Sequence, residues 1–224
     1  MSHTRDVVLF GYFFELCFSF MNDYPDSLDK IALAVESAKI AKSMIVQQEG
    51  IGEDISFNLM VWRDSQLVAV AQLSHSLMGD SEERYGLVVQ AACVLRQGWG
   101  ATSFTMVAEG YCSTNLEESK GRDMAQLFAS PTTDFVKECL SFTHVQEDGI
   151  LFVVVPYRFL PPRKVEYYRP MAHNGVGVVR EARYPMSLHR ALELPYEAEG
   201  VDEDALHFEL ANGLTELGFE VNYR

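Results

Sequence analysis

The sequence predicts an α+β (mixed α/β) fold in which helices cover a central sheet, and three observations carry that expectation. Residues 150–159, ILFVVVPYRF, form an apolar run rich in β-branched and aromatic side chains behind a Glu147, Asp148, Gly149 turn, the pattern of a strand covered on both faces. A strand without a polar face belongs at the centre of a sheet. Two further β-rich runs, 55–62 and 66–73, are separated by Arg63, Asp64 and Ser65, which predicts an antiparallel hairpin. Stretches with helical periodicity lie before and after that hairpin.

The first apolar stretch, residues 7–21, reads VVLFGYFFELCFSFM. As a helix it would span about 22 Å, short of the roughly 30 Å hydrocarbon core of a bilayer. Residues 1–6 carry no net positive charge, Glu15 interrupts the run, and no small-x-small cleavage pattern follows it. A helix buried against the domain or against a second subunit is therefore expected rather than a membrane span. Asp26 or Ser27 can cap the next helix, which runs to about Gln48. Its apolar stripe comprises Leu28, Ile31, Val35, Ala38 and Ile45, with Lys30, Glu36, Lys39 and Lys42 placed off that stripe, and Gly50 and Gly52 end it.

After the hairpin, Asp80 and Glu83 have the spacing of a capping box for a helix over 82–97, buried through Leu87, Val88, Ala91, Ala92, Val94 and Leu95. Gly98, Trp99 and Gly100 stop it. Residues 102–111 alternate Phe104, Met106, Ala108 with Thr105, Val107, Glu109, as a strand does. The polar stretch 112–131 reads as a loop with a short helical piece near 123–129, and a helix is expected from Thr133 or Asp134 to Phe142. With helices as crossovers, strands 102–111 and 150–159 would run parallel and adjacent. Beyond Pro161 and Pro162 come short strands at 164–168 and 175–181 around a 170–174 loop, a helix opened by Asp202, Glu203 and Asp204 with Leu206, Leu210, Leu214 and Leu217 inward, and a closing edge strand 219–223. The expected organisation is an N-terminal helix and turn (1–26), an α-β-β-α-β-α-β core (27–160) and a C-terminal elaboration (161–224), together forming one domain.

The 224 residues include 32 Asp and Glu against 18 Lys and Arg, a net charge of −14, which opposes binding to nucleic-acid phosphates. Cys17, Cys93, Cys112 and Cys139 form no CxxC pair, and reduced thiols in a cytoplasmic protein are expected. The order helix, hairpin, helix, strand, helix, strand resembles that of the cytidine-deaminase-like and JAB-type metalloprotease folds. The metal-binding residues of both are missing: Asp80, Ser81, Glu82 and Glu83 stand where His-x-Glu is required, Cys112 has no partner at the required spacing, and no His-x-His pair occurs. Gly-x-Ser-x-Gly and Walker sequences are absent, and Gly175 and Gly177 lack the third glycine of a dinucleotide loop. No cofactor or metal is expected.

One cluster remains as a candidate site. If strands 102–111 and 150–159 run side by side, Glu109, Tyr111, Cys112, Tyr157 and Arg158 arrive at one end of the sheet, where such sheets hold ligands. Glu109, Tyr111, Tyr157 and Arg158 could bind a small polar molecule or position a proton, or Glu109 and Arg158 could form an ion pair that fixes the sheet's end. The segments 89–97, 107–111, 135–140 and 149–158 resemble, in that order, a block of conserved bacterial and phage proteins with no assigned activity. The first expectation for function is a non-catalytic interaction or assembly protein, phage-encoded, that self-associates as a homo-oligomer or binds a protein partner. The second is a small-molecule sensor or enzyme using the 109–158 cluster.

Overall fold

The computed structural model describes residues 26–50, 54–74, 81–114, 136–174, 183–197 and 200–223. The expected helix over 7–21, the helical piece near 123–129, the strand at 175–181 and the cap at Asp80 lie outside them. Helix α1 (Ser27–Gln48) opens where the Asp26 side chain accepts a hydrogen bond from the Asp29 N–H at 2.8 Å, and ends at Glu49 and Gly50, the latter at φ +109°. Strands β1 (Asn58–Arg63) and β2 (Gln66–Leu73) form the expected hairpin around Asp64 and Ser65, with a bulge between Val61 and Trp62. Helix α2 (Ser81–Trp99) follows, and Gly100 at φ +64° turns the chain into β3 (Ser103–Ser113).

Strands β4 (Val136–Gln146) and β5 (Gly149–Leu160) continue the sheet, β6 (Lys164–Tyr167) and β7 (Met171–Asn174) line its edge, and α3 (Arg183–Leu192), α4 (Glu203–Glu216) and β8 (Phe219–Tyr223) complete the order. The sheet runs β6–β5–β4–β3–β1–β2–β8, with β7 beside β5 beyond the end of β6, and every pairing is antiparallel. Both faces are covered. Ile31, Ala34, Val35, Ala38 and Ile45 of α1 pack on Met60, Trp62, Val107, Leu140, Phe142 and Val155 on one face. On the other, α2, α3 and α4 supply Val88, Ala91, Leu95, Leu188 and Leu214 against Leu59, Val61, Ala71 and Phe104.

Helix α4 is drawn onto α2 at Gly98, where a Cβ would stand 2.2 Å from Leu210 Cδ1. There the His207 Nε2–H donates to the Gly98 carbonyl at 3.0 Å, and the His207 ring stacks on Trp99 with centroids 4.6 Å apart. Asp202 caps α4 and Gly218, at φ +90°, releases the chain into β8.

Five expectations are corrected. The segment over 133–142, expected to be helical, belongs to β4 from Val136 onward. Its Val136, Cys139, Leu140 spacing suits a helix, but Leu140 and Phe142 face α1 while Val145 faces the other layer, so the segment is an alternating strand greasy on both sides. Strands β3 and β5 are consequently not parallel neighbours, because β4 lies between them and pairs antiparallel with each. Strand β5 stands next to the edge strands β6 and β7 rather than at the sheet's centre, and the expected loop at 170–174 contains β7. Finally, the α1 stripe holds at Ile31, Val35, Ala38 and Ile45, but Leu28 is exposed, and Lys30 and Lys42, read as lying off the stripe, are buried.

Because Phe142 is fully buried between α1 and the sheet whereas Phe208 projects from α4, the two phenylalanines should respond oppositely to truncation. Phe142→Ala is expected to lower unfolding free energy in urea by about 3–5 kcal/mol. Phe208→Ala is expected to change it by no more than about 0.5 kcal/mol.

Candidate functional site

Two of the four residues singled out from the sequence meet inside the protein. Glu109 leaves β3 toward α1, and Tyr157 leaves β5 on the same face, one strand beyond the intervening β4. The Tyr157 hydroxyl donates to Glu109 Oε1, Lys42 Nζ of α1 lies 2.6 Å from the same oxygen, and the Ile55 N–H donates to Oε2 at 2.7 Å. The Lys42 side chain is 0 % exposed and that of Glu109 7 %. Asp54, 3.6 Å from Lys42, is the partner that faces water. The ammonium also lies 5.4 Å from the Tyr157 ring centroid and 5.5 Å from that of Phe159.

Burial pushes the Glu109 carboxyl above its ordinary pKa, against the opposing pull of Lys42, Tyr157 and the Ile55 amide. Burial, reinforced by the Glu109 charge, likewise pushes the Tyr157 phenol up, so it remains a hydrogen-bond donor. Tyr167, whose hydroxyl donates to the Lys39 carbonyl at 2.8 Å, is pushed up to about 12, chiefly by burial. The cluster joins α1, β3, β5 and the approach to β1.

The other two residues are elsewhere. Tyr111 shares the Glu109 face but lies further along β3, 42 % exposed. Arg158 projects from the opposite face of β5, where it pairs with Glu166 and lies 5.8 Å from the Tyr168 ring. The Glu109–Arg158 ion pair weighed from the sequence is therefore replaced by Glu109–Lys42. Cys112 also faces away from Glu109, packed with Cys139 and Val154 as free thiols. Lys42 was missed because helical periodicity grouped it with the solvent-facing charges. The available signal was its position in the last turns of a helix that must cross a strand bearing an isolated glutamate.

A second polar chain lies under the other end of α1. Trp62 Nε1–H donates to Thr105 Oγ1 at 2.9 Å, and that hydroxyl lies 2.8 Å from His144 Nδ1. The Thr105 oxygen accepts from Trp62 and its own proton is directed to Nδ1, which places the imidazole proton on Nε2, 3.2 Å from Gln146 Oε1. Ser27 Oγ donates to the same Gln146 oxygen at 2.8 Å. His144 is pushed down to about 4, mainly by burial. Beside this chain Lys30 Nζ donates to Ser103 Oγ at 3.2 Å and lies 5.7 Å from the Trp62 ring centroid.

Among the described residues no group of three or more His, Cys, Asp or Glu side chains is placed to hold a metal, and no helix is long and apolar enough to cross a membrane. No family model, curated protein or solved structure matches the chain.

Removing one member of the Glu109 cluster strands the other. Glu109→Gln leaves a buried ammonium and is expected to cost about 3–5 kcal/mol. Adding Lys42→Met should recover much of that loss, because both charges are then gone. Urea denaturation of the two single variants and the double variant tests this, and strictly additive losses would contradict it.

The depressed His144 value also sets a pH dependence. As pH falls below 6.5 the unfolded chain takes up a proton that the folded chain refuses until about 4, so stability present above 6.5 is lost on acidification across that window. The loss attributable to His144 is about 3 kcal/mol. Glu109 acts in the opposite sense, since a raised carboxyl contributes most at low pH and loses its contribution as pH rises through the folded value. The difference between wild-type and His144→Gln stability curves isolates the histidine, and it should grow from pH 6.5 down to 4 and then level off.

Proposed function

We propose that the protein is a non-catalytic interaction protein that docks a basic protein partner on the outer face of α4. The observation that carries this reading is the charge distribution of the C-terminal segment. Residues 191–223 contain nine carboxylates, at Glu193, Glu197, Glu199, Asp202, Glu203, Asp204, Glu209, Glu216 and Glu220, and no Lys or Arg. In the middle of that acidic stretch Phe208 projects 63 % exposed from α4, flanked by exposed Asp204 and Glu209, and Val201 is exposed just before the helix. An aromatic anchor ringed by one sign of charge suits a partner that offers an apolar pocket with a Lys and Arg rim.

Two further features support an interaction role. The acid-base cluster suggested by the sequence is spent as an internal fastener, with Lys42, Glu109 and Tyr157 all buried. Like charges oppose a second copy docking on this same face, so a different protein is favoured there over self-association. The sign of the charge also rules against nucleic acid at this surface.

A photocrosslinking amino acid placed at position 208 in cells that express the protein should trap a discrete, identifiable partner, whereas the same group at Tyr168 should not. The purified partner should bind the full chain with an affinity that falls with added salt, and Phe208→Glu should weaken it about tenfold or more. Equal crosslinking at both positions, or unchanged affinity after Phe208→Glu and Glu209→Lys, would overturn the reading.

A further inference from the structure

The first turn of α1, the β1–β2 turn, the entry to β3 and the β4–β5 turn surround an open groove of about 800 Å³. Its lining is polar: Lys30 from the helix, Asp64 and Ser65 from one turn, Thr102 and Ser103 from the strand entry, Gln146, Glu147 and Asp148 from the other turn. The volume is in the range of small-molecule sites, roughly 300–1,000 Å³.

Lys30 is the unusual member. It is 6 % exposed, and among the described residues its ammonium makes one hydrogen bond, to Ser103 Oγ, and has no carboxylate within ion-pair distance. An ammonium has three N–H donors, and beside its bond to Ser103 and its place over the Trp62 ring Lys30 has donor capacity to offer a ligand in the groove it lines. A buried cation with open donors is costly unless an acceptor joins it. Across the groove Asp64 and Asp148 place carboxylates, and the Gln146 amide donates to Asp148.

One cation and three carboxylates line the groove. That balance disfavours phosphates and other multiply charged anions, and it disfavours a simple amine at Lys30. A molecule that presents a carboxylate to Lys30 and amines to the rim satisfies both ends. We propose that this groove binds a small zwitterion, an amino acid with a basic side chain fitting it best, with the carboxylate on Lys30 and the amines on Asp64 and Asp148. The site is built from residues other than the α4 face and does not depend on the protein-docking reading.

Isothermal titration of the full chain with L-arginine and L-lysine tests the proposal, alongside agmatine as the amine without the carboxylate and glutarate as the carboxylates without an amine. Saturable binding is expected for the two amino acids, with agmatine and glutarate weaker by about tenfold or more. Lys30→Met should weaken arginine by about tenfold or more while leaving agmatine no weaker, and Asp148→Asn should weaken arginine but not glutarate. Asp148 lies in an exposed turn, so its variant decides the matter if Lys30→Met fails to fold by circular dichroism. Phe208→Glu should leave arginine binding unchanged. Absence of saturable binding by either amino acid, agmatine or glutarate equal to arginine, or indifference to Asp148→Asn would each overturn the proposal.

Discussion

Two buried lysines fasten α1 lengthwise along β3, and the rest of the architecture depends on that attachment. Lys30 reaches Ser103 at the start of the strand and Lys42 reaches Glu109 near its other end. Twelve helical residues rise about 18 Å, and six strand residues about 20 Å, so the two contacts match in length. Between them Ala34, Ala38 and Ala41 are small and buried, which lets the helix axis approach the sheet closely. The lysine stems contribute apolar surface while their heads find acceptors or aromatic faces, so the helix is anchored by polar contacts that a purely apolar stripe would not specify.

The two faces of the sheet divide the work. The α1 face holds the polar interior: the Glu109 cluster at one end, and the Trp62, Thr105, His144 and Gln146 chain at the other. A buried polar network stabilises a fold when each member has a partner, and both ends of this face largely meet that condition. The α2, α3 and α4 face is apolar, closed by Trp99 on His207 and by Leu214. Its outer surface is left to α4, whose charge is directed to solvent.

Much of this was legible in the residues. The cap at Asp26, the acidic start of α4 at Asp202, Glu203 and Asp204, the hairpin turn at Asp64 and Ser65, the α2 face through Val88, Ala91, Ala92 and Leu95, and the final strand after Gly218 all follow from local rules of capping, helix-end charge, turn chemistry and periodicity. The misreadings share one physical origin. When a strand is covered on both sides its alternation disappears, and 136–142 then offers a helix-like spacing that only the tertiary context overrides. That single substitution of helix for strand made β3 and β5 seem parallel neighbours and drew Tyr111 and Arg158 into a site where they do not belong. Glu109 and Tyr157 were identified on the assumption of adjacent strands, and they meet because both point to α1 across β4. Helix α3 escapes the sequence reading because it is short and carries Pro185 in its first turn, although Pro185, Leu188 and Ala191 form a distinct buried face.

Competitive acetylation of the native protein, with each lysine's rate read by mass spectrometry, addresses the attachment most directly at Lys42, the end away from the groove. Lys164 is exposed and should label freely, whereas Lys42 should label only as fast as the protein unfolds, with a rate that rises on addition of denaturant. Labelling of Lys42 at the rate of Lys164 under native conditions would show that α1 is not held to β3 in this way.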